Sequence, residues 1–385
     1  MKLFKSLISL SVVIGLLVTM TGCPKTAIEA PLNDIVNGQI LRPNGSSGGN
    51  SGNSSNEGTG NNSTGKPQGM VYFEYFDTVS YVYSYAGDSQ ESFEKKCGGV
   101  STILSEYHKL FDIYYEHSGV TNLCTLNKNA GGEAMVVDEK LIDFLLYAKE
   151  LYEKTDGEMN IMMGSVLSLW HDCREEASSN PSAARIPTSD ALAEANKHTD
   201  MSFLEIDVEN STVRITDPEA SIDVGALGKG YATEKAAEYL KSVDAESYVL
   251  NIGGNIRIIG HKPDGSGWGT GIKDPADTEK YAMKLTLADT SCVTSGDYER
   301  YFTVGGKRYH HIIDKDTLMP ATYFSSVSII TADSGLADAL STALFAMSYE
   351  EGRALVEKIG GVDVLWITPD GTQYYTEGIE KMIMK

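Results

Sequence analysis

Residues 222–240 read IDVGALGKGYATEKAAEYL. A strand-like Ser221-Ile222-Asp223 runs into glycines at 225, 228 and 230, and an amphipathic helix with Ala232, Ala236, Ala237 and Leu240 follows. Glycine lets a backbone approach a bulky anion, and the free N–H groups and dipole at a helix start favour phosphate there. Lys229 adds a positive charge where a pyrophosphate would lie. The order GxxGxG is not the dinucleotide fingerprint GxGxxG. Nor is the stretch a P-loop, because Gly230 follows Lys229 where Ser or Thr is required. The residues alone support two readings, a phosphate cradle or a glycine-rich turn joining strand to helix.

Outward from this segment, clusters of strands and helices alternate irregularly. Upstream, an alternating aromatic strand is expected over 71–85 and a helix over 91–111, with Val100, Ile103, Leu104, Tyr107 and Leu110 at helical spacing. A second helix is expected over 139–155 and a short one over 188–195 with Thr188 as N-cap. Strands follow at 203–208 and 212–216. Downstream, strands are expected at 248–252, 256–259, through 284–313 and at 326–330. A helix at 336–347 and a strand pair at 364–367 and 373–375 complete the chain. This pattern predicts an α+β fold of mixed, largely antiparallel sheets with packed helices, not a doubly wound sheet.

The chain of 385 residues is long enough for a full core. Its net charge of −21 argues against nucleic acid and anionic lipid surfaces as partners. A locally positive site for a phosphorylated ligand remains compatible with that charge. Lys2 and Lys5 precede an apolar run over 7–18, too short to span a membrane, which reads as a signal peptide over 1–22. It ends Met20-Thr21-Gly22-Cys23, which resembles a bacterial lipobox with Cys23 as the lipidated mature N-terminus. Residues 23–69 read as a tether, irregular to about 44, then a Gly/Ser/Asn tract that cannot bury a core. The expected location is therefore the outer face of the bacterial cytoplasmic membrane. The folded domain is expected over 70–385. Cys97, Cys124, Cys173 and Cys292 match no zinc spacing, and one or two disulfides of unassigned pairing fit an oxidising compartment.

Two further constellations carry chemistry. In ADALSTALF (337–345), Asp338 and Thr342 lie four apart, so their oxygens leave the helix on one face. Such a pair suits a hard cation such as Mg²⁺. The plainer reading is a solvated Asp and a Thr bonded to its own backbone. Ser334 is the expected N-cap. In VTSGDYERY (293–301) and RYHHIID (308–314), His310 and His311 point to opposite faces of a strand, so one joins a site and the other is structural. A Ser295–His311–Asp314 triad ranks low because Ser295 lacks the GxSxG elbow.

In this order, IDVGALGKGYATEKA, NIGGNI (251–256), VTSGDYERYF (293–302), KRYHHIID (307–314) and ADALSTALFAM (337–347) resemble the ApbE family, the FAD:protein FMN transferases. Weaker matches are FDT (76–78), where the family has Met-Gly-Thr, FDIYYEHSGVTNLCTLN (111–127) and GEMNIMMGSVLSLW (157–170). The resemblance covers essentially all of 70–385 and implies an ApbE, T-fold-like domain. It implies Mg²⁺ held by the Ala226 carbonyl and the Asp338 and Thr342 side chains. It implies FAD held by Phe76, Tyr114, Glu158, Met159, Asn160, Asp223, Lys229 and Ile312, and His311 as base for the acceptor hydroxyl. The implied reaction moves FMN from FAD to a Ser or Thr of a membrane-attached acceptor flavoprotein of a redox complex, releasing AMP. An FAD pyrophosphatase and a non-catalytic flavin-binding lipoprotein are the alternatives. Two departures stand out: Asn160 replaces a usual Asp, and Asp316-Thr317-Leu318-Met319-Pro320 replaces a Thr-Gly-x-Pro turn.

Overall fold

The computed structural model describes residues 34–36, 39–41 and 67–384. In chain order the first half holds β1 (Asp34–Val36), β2 (Gln39–Leu41), β3 (Gln68–Tyr72), β4 (Ser80–Ser84), α1 (Gln90–Phe111), α2 (Leu123–Lys128), β5 (Met135–Val136), α3 (Glu139–Lys154), α4 (Gly164–Ser179), α5 (Ser189–Ala195), β6 (Leu204–Asp207), β7 (Thr212–Ile215) and α6 (Gly228–Ser242). The second half adds β8 (Tyr248–Ile252), β9 (Asn255–Ile259), β10 (Trp268–Asp274), β11 (Asp277–Leu287), β12 (Ser291–Gly296), β13 (Tyr301–Val304), β14 (Lys307–His310), β15 (Ser326–Thr331), α7 (Ser334–Ala343), α8 (Tyr349–Ile359), β16 (Asp363–Ile367), β17 (Gln373–Tyr375) and α9 (Glu377–Met382).

An eight-stranded sheet, β17-β16-β15-β12-β9-β8-β4-β3, forms the spine, and every pairing in it is antiparallel. Successive side chains of a strand face opposite sides. Tyr248, Leu250 and Ile252 accordingly join the core with α1, α3 and α6, while Val249 faces the other way. At the far end, Val364 and Trp366 pack with α7 and α8, and Leu365 and Ile367 face the second sheet. That sheet, β11-β10-β1-β2, covers the opposite face through Trp268, Ile272, Leu285 and Leu287, and Ile379 of α9 joins the same core. The result is the expected α+β arrangement, with no closed barrel among the described residues.

Several expectations need correction. The strand expected over 71–85 is the β3–β4 hairpin. Its loop breaks the aromatic alternation at Phe76 and Asp77, whose φ values are 54° and 50°. No Gly or Pro marks that turn, so the alternation conceals it. Six residues assigned to the tether form β1 and β2, with β1 parallel to β10. The signal peptide, Cys23 and the rest of 23–66 lie outside the described residues. Among the described helices, none is long and apolar enough to cross a membrane. Cys97, Cys124, Cys173 and Cys292 are all free and buried, so no disulfide joins them. The N-cap of α7 is Asp333, whose side chain accepts from the Gly335 and Leu336 amides. Ser334 is the first helical residue, with its hydroxyl buried and unpartnered. Helix α8 escaped the sequence reading although Ser348 and Glu351 form a capping box that announces it.

Candidate functional site

Helices α6 and α7 cross at Gly230. A Cβ there would lie 2.4 Å from both Asp338 Cβ and the Ser334 carbonyl oxygen, so only glycine permits the approach. The crossing lets the Gly230 amide donate to Asp338 Oδ2 at 2.8 Å, with Lys229 Nζ 4.0 Å from the same oxygen. Gly228 likewise meets Phe111, and its amide donates to the Val224 carbonyl at 2.8 Å. The amides of Gly228 and Gly230 are thus already engaged. Positive charge at this end comes from Lys229 more than from a free amide cradle. Both starting readings were incomplete, because these glycines serve helix packing and the packing builds the site.

The carboxylate of Asp338 is 5% exposed, and burial raises its pKa against the opposing pull of Lys229 and the Gly230 amide. Ser341, not Thr342, bonds back to its own helix, donating to the Asp338 carbonyl at 2.8 Å. Thr342 Oγ1 instead lies 3.5 Å from Ser295 Oγ, inside the cavity. A buried carboxylate, a hydroxyl and the carbonyl of Ala226, which lines the same cavity, are hard oxygen donors, and such a set fits Mg²⁺.

The cavity has a volume of about 900 Å³, within the range of small-ligand sites. It brings together every site residue expected from the sequence except Cys23: Phe76, Tyr114, Glu158, Met159, Asn160, Asp223, Ala226, Lys229, His311, Ile312, Asp338 and Thr342. Their local settings differ. Asp223 Oδ1 accepts the Gly225 amide at 2.8 Å, and burial raises its pKa. Burial also raises that of Glu158, although Lys315 lies 3.2 Å away and opposes the shift. The Asn160 side chain is spent on structure: Oδ1 accepts from the Met162 amide at 2.8 Å and Nδ2 donates to the Thr199 carbonyl at 2.9 Å. Tyr114 is 53% exposed at the rim.

Both histidines line the cavity, because β14 ends at His310 and strand alternation does not extend to His311; they differ in their partners. His310 is the structural one, with Nε2 on the Ala321 carbonyl at 2.8 Å and Nδ1 accepting the Ile312 amide at 3.2 Å. His311 lines the cavity, and its Nδ1 is buried without a partner. Burial, then the positive charges of Arg300 and its neighbours, depress its pKa to about 3, so the ring is neutral at neutral pH. The triad reading fails: Ser295 Oγ pairs with Ser341 Oγ at 2.8 Å, and Asp314 Oδ1 accepts the Asp316 and Thr317 amides.

Sequence reading missed Arg174, Arg300 and His171, which also line the cavity. Arg174 Nη2 donates to His171 Nδ1 at 2.8 Å. Arg300 stood inside the quoted VTSGDYERYF, but nothing local distinguished it from a surface charge. The departure at 316–320 has a structural counterpart: Leu318 takes a left-handed φ of 59° at the position where the family turn has glycine. Its carbonyl accepts from Trp170 Nε1 at 3.0 Å, and its side chain is buried beside Trp170.

Fold and site define a mixed α+β protein with a large cleft lined by cations and carboxylates beside a neutral histidine. A family model described as the ApbE family matches residues 78–366, and the chain belongs to that family. It is 36% identical over 295 residues to the FAD:protein FMN transferase of Treponema pallidum, covering 73% of this chain and 79% of that protein. The protein of the same name from Klebsiella pneumoniae is 30% identical over 271 residues, covering 70% of this chain and 81% of its own length. Among solved structures, the ApbE protein of Thermotoga maritima superposes with a TM-score of 0.72 at 30% identity, covering 82% of this chain and 99% of that one. The flavin transferase ApbE of Vibrio cholerae superposes with a TM-score of 0.68 at 25% identity, with the same coverage.

Proposed function

We propose that this chain moves the FMN half of FAD onto a Ser or Thr hydroxyl of an acceptor redox protein and releases AMP. The observation that carries the reading is convergence. Residues from the β3–β4 loop, the turn after α1, the 158–160 stretch, α6, the loop after β14 and α7 meet in one cavity. The relatives' name, FAD:protein FMN transferase, supports transfer of FMN from FAD to a protein.

Each side chain has a task in this scheme. Phe76 and Tyr114 flank the flavin, and Lys229 faces the pyrophosphate. His311, neutral and unpartnered at Nδ1, takes the proton of the acceptor hydroxyl. The hydroxyl oxygen then bonds to the FMN phosphorus as the P–O bond to AMP breaks, and AMP leaves with that bonding pair. Mg²⁺, held by the Ala226 carbonyl, Asp338 and Thr342, would neutralise charge on the pyrophosphate. Arg174 and Arg300 add positive charge on the same side of the cavity as His311. A lipid on Cys23 and the tether behind it suit acceptors attached to the outer face of the membrane.

The test is incubation with FAD, Mg²⁺ and an acceptor domain bearing the target Ser or Thr. Mass spectrometry should find the acceptor heavier by one FMN, with AMP in equal amount. Free FMN with an unmodified acceptor would sink transfer in favour of hydrolysis, and intact FAD would sink catalysis altogether.

A further inference from the structure

We propose that His108, Asp112 and His117 form a second metal site, for a zinc-class divalent ion, separate from the Asp338 site. Among the described residues they are the one group of three metal-ligating side chains, and a ligand atom from each lies within 4.8 Å of the others. All three line the cavity. His108 sits on the last turn of α1 and Asp112 caps it, so the four-residue spacing brings them to one side. His117 returns after the turn that Asp112 organises, where Oδ1 accepts the Tyr114 and Tyr115 amides at 2.8 and 2.9 Å.

The donor set decides the metal. Two imidazoles and one carboxylate suit zinc and its borderline neighbours and leave a coordination position open. Mg²⁺ prefers oxygen donors alone. A tetrahedral ion with bonds of about 2.0–2.2 Å needs ligand atoms about 3.3–3.6 Å apart. His117 Nε2 and Asp112 Oδ2 are 3.0 Å apart, and the His108 ligand atom lies within 4.8 Å of both, so modest side-chain shifts bring the three to that spacing. Burial holds His108 below its usual pKa, so an ion there competes with the hydrogen bond its ring accepts and not with a ring proton's charge. Burial pushes Asp112 up, but the Tyr115 and Tyr114 amides and His117 outweigh it and keep the carboxylate ionised.

A plain Asp112–His117 hydrogen bond pinning the turn explains two of these residues and not the third. His108 faces His117 edge-on, with ring centroids 6.0 Å apart, and its Nδ1 accepts the Phe76 amide at 3.2 Å. An ion on His108 breaks that bond whichever nitrogen it takes. At Nδ1 it displaces the amide. At Nε2 it moves the ring proton to Nδ1, where two donors then face each other. Phe76 holds a left-handed φ of 54° in the loop that walls the cavity. Ion binding therefore opposes the loop geometry that presents Phe76. Zinc and FAD weaken each other by the same factor, as linkage requires; this second step rests on the flavin reading above.

The test uses the full, untagged chain, stripped with chelator, equilibrated with zinc chloride and freed of excess by gel filtration. Metal analysis should find one zinc per chain. His108→Gln and His117→Gln should each lose affinity by about tenfold or more, while Asp338→Ala keeps its zinc. No retained zinc, or equal zinc in His117→Gln, overturns the site. FAD titration, followed by flavin fluorescence, should show weaker binding with zinc in the native chain and no such effect in His117→Gln. Unchanged FAD affinity with zinc bound overturns the coupling. Failure of the zinc-free chain to bind FAD at all would count against the proposed reaction and leave the metal site standing.

Discussion

The cavity has two unlike walls. One is the α6–α7 crossing, where Gly230 and Asp338 are buried and locked by a hydrogen bond between elements distant in the chain. The other is the pair of loops carrying Phe76 and Tyr114. It has two non-glycine residues at positive φ, and Tyr114 and Tyr115 are 53% and 73% exposed. A rigid wall suits a charged group whose position must be held closely. A wall of loops suits a flat ring that can be gripped by stacking. On the function proposed above, the helices hold the metal and the pyrophosphate, the loops grip the flavin, and His311 reaches the cavity from the segment after β14.

That division can be broken by experiment. The largest effect is expected from Asp338→Asn, which leaves an acceptor for the Gly230 amide but removes the charge. Turnover should fall about 10³-fold while the thermal midpoint holds, since a metal supplies several kcal/mol to such a step. Near-native Mg²⁺-dependent turnover would detach this wall from the chemistry. His311→Ala should slow transfer about 10²-fold or more with little change in FAD affinity. Equal loss in both would make His311 a packing residue.

Gly230→Ala tests the crossing itself. Overpacking of this kind costs about 1–3 kcal/mol, read as a lower denaturant midpoint at constant slope. An unchanged midpoint would show that the helices have room to separate. His311 also links stability to pH. The fold holds its pKa near 3, below the unfolded value, so it favours the neutral ring. Its stability contribution is complete above about pH 6.5 and declines as pH falls from there towards 3. Between pH 7 and 5 the native chain should lose about 1–2 kcal/mol more than His311→Phe does. The ring is partly open to the cavity, which favours the lower end of that range. Parallel pH curves for the two proteins would argue that the ring protonates freely. The smallest effect is on the loop wall. Tyr114→Ala should weaken FAD binding by about tenfold, the worth of one stacked aromatic, without altering the Mg²⁺ requirement. A changed Mg²⁺ requirement would mean that the two walls are not separate.

Legibility followed the same boundary. Helix α1 was read as 91–111 and found at Gln90–Phe111; α3 was read as 139–155 and found at Glu139–Lys154. Their periodicity is local and strong. Helix α4 went unread because its burial depends on a distant partner: Trp170 bonds to Leu318, 148 residues away. The 73–79 loop was hidden because aromatics that look like strand continue through a turn made of Phe76 and Asp77.

From the sequence alone came the α+β class and the four-residue spacing that puts Asp338 and Thr342 on one helix face. The ordered motifs also pointed to the family. These follow from periods of 3.6 and 2, which specify the face a residue occupies on its own element. Tertiary structure decided what each face meets. It selected His311 by satisfying His310, gave Gly230 a packing task against a residue 108 positions away, and dismissed the Ser295 triad by pairing Ser295 with Ser341. Such choices depend on which distant segments pack together, and no local pattern carries that information.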